Sequence, residues 1–140
     1  MTDMTSNRIA YLGPAGTYTQ TAARSFASTS PDAADLEYLA CASIEDVFAA
    51  VASGGASHGV VPVENSTEGA INSTQDCLIH SKSPIIAEIV LPIEHNLLVS
   101  PSVTPQLSAD QGIKTDTPND YSSIQSVYSH RQALAQCRQW

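Results

Sequence analysis

The feature that most narrows what this chain can fold into is an alternation: short apolar runs, each closed by a turn, and each followed by a capped amphipathic stretch. Ile9-Ala10-Tyr11-Leu12 stops at Gly13-Pro14-Ala15-Gly16, as a buried strand stops at a turn. A helix is predicted directly after it. Thr17 and Gln20 have capping-box spacing, Tyr18, Ala22 and Phe26 recur on one face, and Pro31 lies past the far end. Residues 36–39 repeat the strand. Ser43 is then a candidate N-cap, and Ile44, Val47, Phe48 and Val51 make a stripe ending at Gly54-Gly55. A third apolar run, Gly59-Val60-Val61-Pro62-Val63, enters a polar loop at residues 64–69, after which Ile71, Thr74 and Leu78 share a helical face. Strands separated by helices pair in parallel, because a parallel partner needs a crossover connection. The predicted class is α/β.

From residue 85 to 99 the period becomes two. Ile85, Ala87, Ile89, Leu91, Ile93, His95, Leu97 and Val99 fall on one side, with Glu88, Glu94 and Asn96 on the other. The run is about twice a usual strand, so it is read as one or two extended strands crossing between two lobes, broken at Pro92, with His95 in the core. Residues 101–123 are rich in Pro, Ser, Thr, Asp and Gln and are read as a solvated loop. Ile124-Gln125-Ser126-Val127-Tyr128 is a further strand, followed by a second capping box, Ser129 with Gln132, and a helix face of Ala133, Leu134 and Cys137. The expected organisation is a polar leader at 1–8, a first α/β lobe at 9–91, and the start of a second lobe at 92–140. An apolar helix face with no later strand beside it makes the second lobe incomplete in this chain.

Composition excludes several functions. With 42% hydrophobic and 14% charged residues, the chain is too apolar for disorder, yet it has no run of about 18 apolar residues to span a bilayer. Its 140 residues carry a net charge of −8, which disfavours nucleic acid or an anionic membrane as partner. Residues 1–10 hold no apolar stretch of signal-peptide length, so a cytoplasmic location is expected. Cys41, Cys77 and Cys137 form no CxxC, and none pairs with His58, His80, His95 or His130 at metal-ligand spacing. They are read as reduced packing residues, with no metal expected. Residues 13–17 lack both the GK[ST] and the GxGxxG patterns, which rejects both nucleotide readings, and no GxSxG or HExxH occurs.

What remains are polar side chains where strands hand over to helices: Thr17 and Thr19, Ser66 and Thr67, Ser129 and Gln132. Free N–H groups and the helix dipole there bind carboxylates, and loops at the carboxyl edge of a parallel sheet face one side. Such residues also cap helices without any ligand. Glu64 follows an apolar strand directly, and a partly buried carboxyl there could serve as a proton donor. An exposed loop acid is the competing reading.

The ordered segments Gly13-Pro14-Ala15-Gly16-Thr17-Tyr18-Thr19, Val61-Pro62-Val63-Glu64-Asn65-Ser66-Thr67-Glu68-Gly69-Ala70-Ile71, His95-Asn96-Leu97 and Val127-Tyr128-Ser129-His130, with Gln132-Ala133-Leu134-Ala135-Gln136-Cys137 after them, together resemble the prephenate dehydratases. The resemblance implies a two-lobed fold like the type II periplasmic binding proteins, with substrate in the cleft between lobes. It implies conversion of prephenate to phenylpyruvate with loss of water and carbon dioxide, in phenylalanine synthesis. It implies no metal or cofactor, and a homo-oligomer at full length. Carried over residue by residue, Glu64 and Asn65 become the catalytic candidates, and Thr17, Ser66, Thr67, Ser129, His130 and Gln132 the substrate-binding ones. Arg131 stands where the family usually has Pro, and residues 102–123 exceed its usual connection. The family's Thr-Arg-Phe motif should lie downstream of Trp140, so this chain is expected to be inactive alone. The alternative is a non-catalytic module of the same fold that binds an aromatic or keto acid.

Overall fold

Three parallel strands, β1 (Arg8–Leu12), β2 (Glu37–Cys41) and β3 (His58–Val60), form a sheet in the order β2-β1-β3. The computed structural model of the chain describes residues 6–29, 35–98, 125–130, 133, 134 and 137. Two compact units divide it, Met1–Pro92 and Ile93–Trp140. The sheet belongs to the first.

β1 is central because it is the most apolar run and can bury both faces. Ile9, Ala10 and Tyr11 are all buried, which suits a strand covered on both sides. Helix α1 (Tyr18–Thr29) covers one face, where Ile9 and Tyr11 meet Ala23, Ala27 and Leu36. Helix α2 (Ile44–Ala52) covers the other, where Ala10 meets Val47 and Ala56. The expected α1 stripe is turned by about one residue. Ala22 is buried as predicted, but Ala23 and Ala27 carry the contact, Phe26 is half-buried, and Tyr18 is 54% exposed in the first turn. Alanines let the helix approach β1 closely, and Ile9 and Tyr11 supply the volume.

The α2 expectations hold in detail. The Ser43 side chain accepts the Asp46 N–H at 3.1 Å, Ile44 and Val47 are buried, and the helix ends at Ala52, two residues before Gly54. β3 is shorter than predicted. It ends at Val60, and Val61-Pro62-Val63 runs on without a ladder, leaving Val63 half in solvent; Pro62 has no N–H to give one. The polar loop expected at 64–69 is instead a small hairpin, β4 (Glu64–Asn65) antiparallel to β5 (Gly69–Ala70). Helix α3 (Asn72–His80) follows it and packs beside α2.

The alternation at 85–99 does not become strands. Residues 81–98 are irregular, because alternation alone makes no strand without a neighbouring ladder. Of the predicted inward series only Ile89, Leu91 and Leu97 are half-buried among the described residues, whereas Ile85, Ala87 and Ile93 are exposed. His95, expected in the core, is exposed. The leader expected to reach residue 8 gives up Arg8 to β1.

In the second unit, residues 125–128 form no strand. Ala133 and Leu134 are helical, with the Leu134 N–H donating to the His130 carbonyl at 3.1 Å. Residues 1–5 of the leader, the loop expected at 101–123, Ile124 and Gln132 lie outside the described residues. No described helix is long and apolar enough to cross a membrane.

Candidate functional site

In a 2-1-3 order, the chain leaves β1 toward one face and reaches β3 from the other. The carboxyl ends of β1 and β3 therefore flank a switch point, where open parallel sheets take their ligands. Tyr11 pairs with Val60 there. The two connections leaving this point are residues 13–17 and residues 61–69, the segments singled out from the sequence.

The first connection is held by its own side chains. The Thr17 hydroxyl donates to the Leu12 carbonyl at 3.1 Å and accepts the Gln20 N–H at 3.3 Å, while the Gln20 side-chain oxygen takes the Gly16 N–H at 2.8 Å. The capping box read from the sequence is thus present, shifted by one residue on the return bond. It engages the Thr17 hydroxyl proton, so in this arrangement Thr17 shapes the loop rather than offering a donor to a carboxylate. Gly13 donates to the Cys41 carbonyl at 2.8 Å. A Cβ at Gly13 would stand 3.1 Å from that oxygen, a tight contact that glycine avoids.

The second connection presents the main candidates. Glu64 and Asn65 form β4, opposite Ala70 and Gly69. The Asn65 side-chain oxygen accepts the N–H groups of Thr67 at 2.9 Å and Glu68 at 3.3 Å, so the asparagine closes the turn that displays it. Glu64 is exposed. The first unit does not bury it, and a proton-donor role would need desolvation from elsewhere. Ser66 and Thr67 stand exposed in the turn. The expectation that they begin a helix is corrected: α3 starts at Asn72, because the hairpin consumes the residues between.

Ser129 and His130 are exposed in the second unit, just before its helical turn. The structure brings Glu64, Asn65, Ser66 and Thr67 together in one hairpin and Thr17 onto the neighbouring connection. Ser129 and His130 belong to the other unit, and Gln132 lies outside the described residues.

One residue of weight was not singled out as functional. Thr74, on α3, is fully buried and donates its hydroxyl to the Pro62 carbonyl at 2.6 Å. The signal was present: a polar residue between Ile71 and Leu78 on an apolar helix face must find an acceptor.

Residues 9–140 match the family model described as "Prephenate dehydratase". The chain belongs to the prephenate dehydratase family. It is 42% identical over 133 residues to the bifunctional chorismate mutase/prephenate dehydratase of Pseudomonas aeruginosa, covering 95% of this chain and 31% of the relative. The corresponding protein of Aquifex aeolicus is 41% identical, with 95% and 31% covered. That of Escherichia coli K12 is 39% identical over 132 residues, with 94% and 30% covered. The chain therefore spans about a third of the length of these relatives. Among solved structures, prephenate dehydratase from Streptococcus mutans superimposes with a TM-score of 0.53 at 39% identity, over 61% of this chain and 43% of that one. The α/β fold is thus that of a prephenate dehydratase.

Proposed function

We propose that this chain supplies the first lobe and the start of the second lobe of a prephenate dehydratase, the reading carried by the family match over residues 9–140. Prephenate loses its ring hydroxyl and one carboxylate, and aromatisation drives both losses. The protein must protonate the departing hydroxyl and hold two carboxylates while one leaves as carbon dioxide. Fixing a substrate that fragments by itself is where orientation and oriented dipoles help most. In this reading Asn65 offers its amide to a carboxylate, and Ser66 and Thr67 add hydroxyls from the same turn. Glu64 acts on the leaving hydroxyl once a second lobe excludes water. Thr17 fixes the neighbouring loop, and Ser129, His130 and Gln132 are the substrate-binding candidates of the second lobe in a periplasmic-binding-protein-like fold. The full protein is cytoplasmic and homo-oligomeric.

The test is phenylpyruvate formation from prephenate by a full-length chain containing this sequence. Turnover is expected there and none from the 140-residue polypeptide. Prephenate binding without turnover in the full-length chain would instead identify a non-catalytic binding module.

A further inference from the structure

Thr74 is the one buried polar side chain among the described residues. It sits in the first turn of α3, where a threonine hydroxyl ordinarily bonds within its own turn. Here the N-cap is Ile71, which makes no side-chain capping bond. The Thr74 hydroxyl instead crosses twelve residues of sequence to the Pro62 carbonyl. The neighbouring carbonyl, Val63, accepts the Ile71 N–H at 2.9 Å. Two consecutive carbonyls, beyond the end of the β3 ladder and just before Glu64, therefore hang from the start of α3. One of these bonds is made by backbone, the other by a side chain that valine could replace in shape but not in chemistry.

We propose that Thr74 is a positioning residue for the dehydration, holding the segment of residues 61–65 at the height that presents Glu64 and Asn65. This rests on the functional reading above. A threonine kept for packing alone would be interchangeable with valine. One kept to place the hairpin would be interchangeable with serine.

The experiment compares Thr74→Val, Thr74→Ser and Val47→Ala in a full-length chain containing this sequence, measuring kcat, KM and amide hydrogen exchange. Val47→Ala is a stability control, since Val47 lies in the α2 core. Thr74→Val is expected to speed exchange at the Ile71 amide about tenfold and to lower kcat about tenfold, the scale set by one lost hydrogen bond. Thr74→Ser restores both, and Val47→Ala leaves kcat within about twofold. If Thr74→Val does not fold, Thr74→Cys, nearly the shape of serine with a weak donor, takes its place. Unchanged Ile71 exchange overturns the proposal, as does unchanged kcat with exchange accelerated, or an equal kcat loss in Val47→Ala. Full activity in both Glu64→Gln and Asn65→Ala would refute the site reading itself, while the exchange measurement still judges whether Thr74 places the hairpin.

Discussion

Replacing Gly59 with alanine tests how tightly α2 is seated on β3. A Cβ at this position would lie 3.0 Å from Val47 Cγ1 and 3.0 Å from Val51 Cγ2, well inside the 3.5–4.0 Å at which carbon pairs are most comfortable. Both neighbours are β-branched residues on a helix, where one χ1 rotamer dominates, so neither methyl can swing away cheaply. Val47 is also buried against Ala10 and Ala56, and a helix shift would disturb that cluster. Overpacking of this kind costs about 1–3 kcal/mol. Against it stands about 0.4–1 kcal/mol from the reduced freedom of the unfolded chain when alanine replaces glycine. The net expectation is a loss of roughly 1–2 kcal/mol, or a Tm lowered by roughly 5–15 °C for a unit of this size. Urea unfolding followed by far-UV circular dichroism measures it, with an unchanged m-value showing that stability moved rather than denatured-state compactness. The double variant with Val47→Ala supplies the internal check, because removing one of the two obstructing methyls should make alanine at 59 clearly less costly than it is beside Val47, with Val51 Cγ2 still in the way. A Gly59→Ala protein as stable as the parent, or a double variant whose losses simply add, would refute the steric account.

Other outcomes follow from the same geometry. Ser43→Ala removes the acceptor of the Asp46 N–H and should cost about 1 kcal/mol in chemical denaturation, while Ser43→Asp should cost little. In a full-length chain, Glu64→Gln should lower kcat by roughly 10²- to 10⁴-fold with little change in KM if Glu64 works on the leaving hydroxyl; full activity would leave it a turn acid. Asn65→Asp keeps the oxygen that accepts the Thr67 and Glu68 N–H groups but sets a negative charge before a dicarboxylate. It should therefore preserve Tm and raise KM, whereas Asn65→Ala should loosen the turn as well. Burial, and next the negative charge of Asp46, push the Cys41 thiol above its ordinary 9.0, with a Tyr11 backbone hydrogen bond pulling partly back. A raised thiol leaves its contribution to stability intact below that value and loses it as pH rises through the folded one. Iodoacetamide at pH 8 should then label Cys41 more slowly in the folded chain than in urea, and equal rates would contradict this.

Elements that announce themselves by a run plus a cap were legible in the sequence. β1 shows as an unbroken apolar run because both its faces are covered, and α2 shows because Ser43 and the Val47 side mark its start and its buried face. The hairpin at 64–70 escaped reading because two-residue strands carry no periodicity. What makes them is one side-chain oxygen, that of Asn65, and an asparagine in a polar loop looks the same whether or not it closes a turn. The alternation at 85–99 predicts strands that do not form, and among the described residues only Ile89, Leu91 and Leu97 of its inward series are even half-buried, since alternation says nothing about whether a ladder partner is near. Among the site residues, the clustering of Glu64, Asn65, Ser66 and Thr67 follows from their adjacency. The exposure of Glu64 does not, because burial is set by what packs above a loop.

The central place of β1 ties the two connections to a common origin. Its partners lie far along the chain: the Arg8 side chain reaches Glu37 across 29 residues, and the Arg8 carbonyl is met by Ser57 across 49. Closing the longer loop rather than the shorter costs only about 0.5 kcal/mol more in chain entropy, so order of assembly is decided by order of emergence. During synthesis β1 waits, first for β2 and then for β3, and it is the third arrival that sets residues 61–65 beside residues 13–17. A lesion in β2 can leave that meeting intact. A lesion in β1 dissolves it from both sides, so inherited variation along Arg8–Leu12 should be read as damage to the site even though none of those side chains is expected to touch a ligand.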